Sequence, residues 1–340
     1  MWIGTANSIT RLRSPFATLF RAKGLVLLPS LLSLAGCADV PQQYQPSSKT
    51  SSNARLLSTE TISIAVEHKS IQLQSDTGVD LIDVDLRRSR VRPIIATSDI
   101  AVRHGHVSGR SYLPTDWMAR RGGIAVINGG YFGDSYAEGY RDFVGLLVQH
   151  GVVRHSAPPI HGQGSATIPA AIYVRSAFGT LANGDPVIGW AASGVGLTMR
   201  KTPMVYSAPL VNTTDTKSVW HVDNAVGCGP TLIRRGHIYV NDHEERLINS
   251  MNRPRTFVSY DVVNGRPSQF VMGIVSQASY REVAMFLKSY FWTAHHSKVA
   301  AAMCLDGGSS TQLSYVSRGR TVSPLDTDVD VPDSIVLVPK

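Results

Sequence analysis

Cysteine is scarce in this chain: three of 340 residues, Cys37, Cys228 and Cys304. A small disulfide-framed fold is thereby excluded. So is a structural zinc site, which needs four ligands at suitable spacing. No Gly-x-Ser-x-Gly elbow marks a serine hydrolase. No internal repeat appears, and beyond residue 60 no Pro- or Ser-rich linker divides the chain. Basic residues exceed acidic ones, with a formal net charge of +8, but Arg11, Arg13, Arg21 and Lys23 all precede residue 37. Without residues 1–36 the balance is 29 basic minus 25 acidic, or +4. The apparent basicity therefore belongs largely to the first segment and is no argument for nucleic acid as a partner.

That first segment reads as a targeting signal. Its basic residues precede an apolar run from Gly24 to Leu34 that closes on Leu34-Ala35-Gly36-Cys37. A basic stretch, a short apolar stretch and small residues before a cut describe secretion. The apolar run is well short of the ~20 residues needed to span a bilayer. Leu-Ala-Gly-Cys resembles a bacterial lipoprotein processing site, which implies cleavage before Cys37, lipid on Cys37 and membrane attachment through it. The alternative is a secreted protein with a chance cysteine. Ala38 after the cysteine resembles the outer-membrane class of enteric lipoproteins. Ala38 to Glu60 is rich in Ser, Gln, Pro, Thr and Asn and reads as a flexible tether. The expected organisation is a signal at 1–36, lipidated cysteine and tether at 37–60, and one folded domain at 61–340, facing the periplasm in the cell envelope.

The domain reads as α+β and sheet-rich. Period-2 alternation marks half-buried strands at Ile62 to Val66 and Val79 to Leu86. Further strand-like runs include Arg92 to Thr97, Gly123 to Ile127, Phe143 to Val148, Thr256 to Val263, Gln269 to Val275, Val299 to Leu305 and Ser334 to Val338. Gln149-His150-Gly151, Arg234-Arg235-Gly236 and Asn264-Gly265 read as hairpin turns. One strong amphipathic helix is expected at 279–294. Ser279-Tyr280-Arg281-Glu282 is a capping box. Val283, Phe286, Leu287, Tyr290 and Phe291 follow at the spacing of one buried face. A weaker helix starts near Thr115.

Residues 304–313, Cys-Leu-Asp-Gly-Gly-Ser-Ser-Thr-Gln-Leu, are the most informative stretch. An apolar run delivers Asp306 to a turn where Gly307 and Gly308 let the backbone approach a ligand. Successive N–H groups in such a turn can form an anion nest. An ordinary Asp-Gly hairpin capped by serines has the same composition. Other blocks add weight: Asn128-Gly129-Gly130-Tyr131-Phe132, Gly145-Leu146-Leu147, Gly227-Cys228-Gly229-Pro230 and Pro254-Arg255-Thr256. Together, and in this order, the five blocks resemble the phosphodiester glycosidase family, over roughly Ile62 to Pro339. The resemblance implies a hydrolase that cleaves sugar-1-phosphodiester linkages in envelope or extracellular glycans. Cys304 stands where many members have Asn, and Ser309 where many have a third glycine.

Such a reaction needs charge neutralisation at phosphate and support for a developing oxocarbenium ion. Arg255 is the candidate for phosphate, because a guanidinium fork matches phosphate oxygens. Asp306 is the candidate for the carboxylate beside the anomeric carbon. For the second carboxylate, Asp134, Glu138, Asp142, Glu244 and Glu245 compete, and Glu138 is preferred. Asn128 can donate and accept hydrogen bonds to sugar hydroxyls. Gly129, Gly130, Gly229, Gly307 and Gly308 would bring backbone to the substrate, and Thr256, Ser309 and Ser310 hydroxyls. Cys228 and Cys304 either form a disulfide or remain two buried thiols. The chemistry requires no cofactor, and a divalent metal held by Asp306 and backbone oxygens stays open. His104, His106, His295 and His296 read as surface residues. Two other functions compete with the hydrolase: a non-catalytic glycan-binding lipoprotein, and a serine-dependent amidase or esterase using Ser310.

Overall fold

The computed structural model describes residues 54–74, 77–135, 137–156, 159–160, 171–173, 175–194, 196–200, 205–207, 218–240, 245, 247 and 252–340. Cys37, the targeting segment and Glu244 lie outside them. The first strand, Arg55–Ser63, already begins inside the stretch read as tether. Among the described residues two α-helices accompany a fold made mostly of strands. No helix among them is long and apolar enough to cross a membrane.

Alternating side chains explain the layers. Along Arg253–Val263, Phe257 packs beneath the long helix, whereas Val258 and Tyr260 face the opposite way. This strand is central in an eight-stranded sheet. The spatial order is Arg55–Ser63, Val66–Gln74, Thr77–Asp85, Arg266–Ala278, Arg253–Val263, Val299–Cys304, Thr231–Arg234 and His237–Ile238. On one face lies the helix Tyr280–His295, capped by Ser279 and Glu282 as the sequence indicates and burying Val283, Phe286, Leu287, Tyr290 and Phe291. On the other face, Val258, Met272 and Met303 meet Ile127, Leu313, Ile335 and Leu337.

Those four partners belong to a five-stranded sheet ordered Arg320–Leu325, Leu313–Ser317, Ala125–Asn128, Asp333–Pro339 and Val91–Thr97. Its alternate residues Val126, Val336 and Val338 pack outward against Trp117 and Met118 of the short helix Pro114–Arg120. The result is helix, sheet, sheet, helix, with period 2 dividing each central strand between two cores. Full burial of one large apolar side chain contributes roughly 1.5–3 kcal/mol. A seven-stranded sheet closes one side, sending Phe178 and Val226 into the intersheet core.

Three sequence expectations fail locally. Ile62 to Val66 is no continuous strand: Ile64 and Ala65 form a hairpin turn, with Ala65 at φ 57°. Phe143 to Val148 is broken into Tyr140–Phe143 and Leu147–Gln149. Gly145 sits in the break because a Cβ there would stand 2.3 Å from the Gly227 carbonyl. His295 is no surface residue; its side chain is 14% exposed and its Nε2 stands 2.9 Å from Asp83 Oδ2 as an ion-pair contact.

Candidate functional site

The five sequence blocks converge where the eight- and five-stranded sheets exchange chain. Val299–Cys304 ends in the first sheet, Leu313–Ser317 begins in the second, and the Asp306 turn joins them. Asn128 ends its strand fully buried beside this crossing. Its Nδ2 donates to the Asp306 carbonyl at 2.8 Å. Its Oδ1 accepts from Thr256 Oγ1 at 2.7 Å and from the Gln312 amide at 3.1 Å. The Asp306 amide in turn donates to the Gly129 carbonyl at 3.0 Å. Asn128 and Thr256, expected to face a sugar, instead bolt three blocks together.

Close backbone approach explains the glycines. A Cβ on Gly130 would stand 2.8 Å from the Gly227 carbonyl, and one on Gly129 1.6 Å from Asp333 Oδ1. Asp333 is 1% exposed, and its Oδ1 accepts the Gly130 N–H at 2.7 Å. Its Oδ2 has no hydrogen-bond partner among the described residues. Burial first, and then the Asp306 charge, pushes the Asp333 carboxyl up to about 7. This buried carboxylate is absent from the sequence-derived candidates. Its one signal is an acid at the head of the apolar run Ser334 to Val338.

Asp306 is pushed up to about 6 by burial, against the opposing hydrogen bonds of the Ser310 side chain and the Gly307 N–H. The Gly307 N–H reaches Asp306 Oδ1 at 2.9 Å. Gly308–Ser310 forms a single 3-10 turn with Gly308 at φ 65°. The amides of Ser310 and Thr311 donate back to the Gly307 and Gly308 carbonyls. Three of the donors expected to form an anion nest are therefore engaged by the turn itself. Ser310 is buried, whereas Ser309 is exposed and its carbonyl accepts from Thr327 Oγ1 at 2.5 Å.

Arg255 runs alongside this turn. A Cβ on Gly307 would lie 3.7 Å from Arg255 Cδ. Arg255 is 5% exposed, and its guanidinium donates from Nε to the Ala278 carbonyl at 3.2 Å and lies 3.9 Å over the Tyr280 ring. Beside it, Tyr131 donates its hydroxyl to the Gly229 carbonyl at 2.6 Å, next to the cis Gly229–Pro230 bond. Burial raises the Tyr131 hydroxyl well above its ordinary range, and raises Tyr280 to about 12. Cys228 and Cys304 are buried free thiols, so the disulfide option is not realised. Burial pushes both thiols up, Cys304 to about 12, which keeps them protonated.

The second-carboxylate candidates among the described residues do not join this cluster. Glu138 is exposed on the turn between Phe132–Asp134 and Tyr140–Phe143, a hairpin that carries it outward. The Asp134 side chain is 97% exposed and pairs with Arg141. Asp142 is held by Ser108 Oγ at 2.5 Å and His106 Nδ1 at 2.9 Å. Glu245, 1% exposed, accepts from the Ser176 and Thr231 amides, Ser176 Oγ and Trp190 Nε1. It braces the Gly-Pro loop from behind. Among the described residues no group of three or more His, Cys, Asp or Glu could hold a metal ion.

The arrangement thus presents an elevated carboxyl group on a braced turn, with the stem of Arg255 packed beside that turn. The family described as phosphodiester glycosidase matches residues 121–338. The chain matches no curated protein. Among solved structures it is similar to the catalytic domain of a zebrafish N-acetylglucosamine-1-phosphodiester alpha-N-acetylglucosaminidase, auto-inhibited by its pro-peptide. That match has a TM-score of 0.50 and 17% identity, covering 84% of this chain and 88% of that one. A hypothetical protein from Synechocystis aligns with a TM-score of 0.47 and 15% identity, over 81% of this chain and 62% of that chain's length. A putative exported protein from Burkholderia pseudomallei gives a TM-score of 0.44 at 14% identity, over 80% of this chain and 74% of that one. At 17% identity the likeness to the zebrafish domain speaks to fold alone.

Proposed function

The chain belongs to the phosphodiester glycosidase family, and from that premise we propose that it hydrolyses sugar-1-phosphodiester linkages in envelope or extracellular glycans. The observation that carries this reading is the Asp306 turn itself, whose Gly307 binds the Asp306 carboxylate and packs against the stem of Arg255. Asp306, held near pH 6 by burial, is ionised at neutral pH and can support positive charge at the anomeric carbon. Arg255 supplies fixed positive charge for the phosphate side. A phosphate leaves more readily than an alkoxide, so the reaction needs little general-acid help. Asn128, Thr256 and the glycines act as positioning residues, fixing the turn from behind.

On this proposal, lipid on Cys37 tethers the enzyme to the envelope with its site toward glycan. Loss of fatty-acid labelling in Cys37→Ser tests that placement. The central experiment measures sugar release from a 1-phosphodiester by purified residues 38–340. Asp306→Asn and Arg255→Ala should abolish release, with correct folding checked by circular dichroism. Normal turnover in both variants defeats the assignment. Binding without turnover across a panel of phosphodiester glycans would favour the glycan-binding alternative instead.

A further inference from the structure

A cleft of about 1070 Å³ runs along Val91–Thr97, the outermost strand of the five-stranded sheet, and neither Asp306 nor Arg255 lines it. Four arginines do: Arg92, Arg120, Arg121 and Arg154. All four are exposed, and none pairs with a carboxylate among the described residues. Asp99 and Asp223 are the acids in the lining, and Asp223 already has Asn224 Nδ2 at 2.6 Å and His150 at 3.9 Å. The cleft lining therefore carries a formal excess of two positive charges, four arginines against two aspartates. Two of its guanidinium groups are also held in place. Arg121 Nη2 donates to the Thr97 carbonyl at 2.5 Å, and Arg120 lies 4.0 Å over the Tyr112 ring.

We infer that this cleft is a second binding site, for an anionic glycan chain bearing phosphate or carboxylate groups. Guanidinium forks match both kinds of oxyanion, and little ordering entropy remains to be lost where they are already anchored. Half-buried Gln149 and Asn224 line the same cleft and add neutral amide groups beside the arginines. The space exceeds a drug-sized pocket, typically about 300–1,000 Å³, and suits several linked sugar units. Single-stranded nucleic acid fits less well because it needs open aromatic faces for stacking. Here Trp117 is 2% exposed and donates Nε1 to the Val331 carbonyl, while Arg120 covers Tyr112. This site does not rest on the catalytic reading of Asp306, since binding in it requires no turnover.

The test measures binding of the purified full chain to yeast phosphomannan and to polygalacturonate, with neutral dextran and oligo(dT) as comparisons. Phosphomannan binding alone assigns phosphate as the recognised group, and polygalacturonate binding alone assigns carboxylate. The double variant Arg120→Gln/Arg154→Gln should weaken binding about tenfold. The exposed pair Arg87→Gln/Arg88→Gln, with the same loss of charge elsewhere, should leave it within about twofold. Raising salt should weaken binding to the anionic polymer. The inference is overturned if both double variants lose affinity equally, if dextran binds as well as the polyanions, or if oligo(dT) binds more tightly than either glycan.

Discussion

Asn128 donates its side-chain amide to the Asp306 carbonyl at 2.8 Å, joining residues 178 positions apart in sequence. The same amide group accepts from Thr256 Oγ1 and the Gln312 amide. Asn128→Ala should therefore strand two buried donors and one carbonyl. A loss of roughly 2–4 kcal/mol is expected in urea unfolding. Asn128→Asp keeps an acceptor but removes the donor to Asp306, and should fall between alanine and the native residue.

Gly129→Ala should be more damaging than its added methyl suggests, because that methyl would stand 1.6 Å from Asp333 Oδ1. Overpacking of this kind costs about 1–3 kcal/mol or more. The double variant Gly129→Ala/Asp333→Ala should recover part of the lost melting temperature. Equal melting temperatures in the single and double variants would show that the clash is relieved by another route.

Asp306 and Asp333 both bind protons more tightly when folded than in the ordinary carboxylate range, near 6 and 7 respectively. The folded state then carries more protons than the unfolded one between about pH 4 and 7, so stability falls as pH rises through that window. Asp333→Asn should flatten the decline while keeping an acceptor for the Gly130 N–H. Unfolding measured at pH 5 and pH 8 reads the difference, expected to be on the order of a few kcal/mol. Turnover should rise with pH through about 6 as Asp306 ionises, giving kcat/KM an acid limb there.

Asp83 titrates in the opposite sense. Lys69 Nζ at 2.9 Å, Tyr290 Oη at 2.5 Å and His295 surround its buried carboxylate beneath the long helix. Burial works against the charge, but these partners hold its ionisation below the ordinary range. The stability it contributes is present above the unfolded carboxylate value and is lost as pH falls through the lower folded one. Lys69→Met leaves a buried charge short of a partner and should lose about 3–5 kcal/mol at neutral pH. Tyr290→Phe should lose about 1 kcal/mol. Denaturant midpoints of both variants check the ranking.

What the sequence revealed follows from how local each signal is. The capping box at Ser279 and the apolar face to Phe291 lie within one turn-by-turn pattern, and the helix Tyr280–His295 follows them. His150-Gly151, Arg235-Gly236 and Asn264-Gly265 each adopt positive φ at both positions, as short hairpin turns require. The glycine blocks were legible because close backbone contact admits no side chain. Their purpose was not, because Gly130 answers to Gly227 and Gly129 to Asp333, both far along the chain. Asp333 itself reads as the start of an ordinary strand, and only the fold places it under the Gly129-Gly130 corner. Glu138 failed for the converse reason: proximity in sequence to Tyr131 does not survive the hairpin that turns it outward.

The segment bearing Asp306 leaves one sheet and enters the other, with its position set by bonds to both. A carboxylate mounted across a seam inherits the alignment of the two halves. Slippage of even a fraction of an ångström between them, from a trimmed methyl at Met303 or Ile335, would shift the acid relative to the guanidinium long before the protein melted. Catalytic rate in this molecule should accordingly serve as a finer gauge of interior fit than thermal stability does.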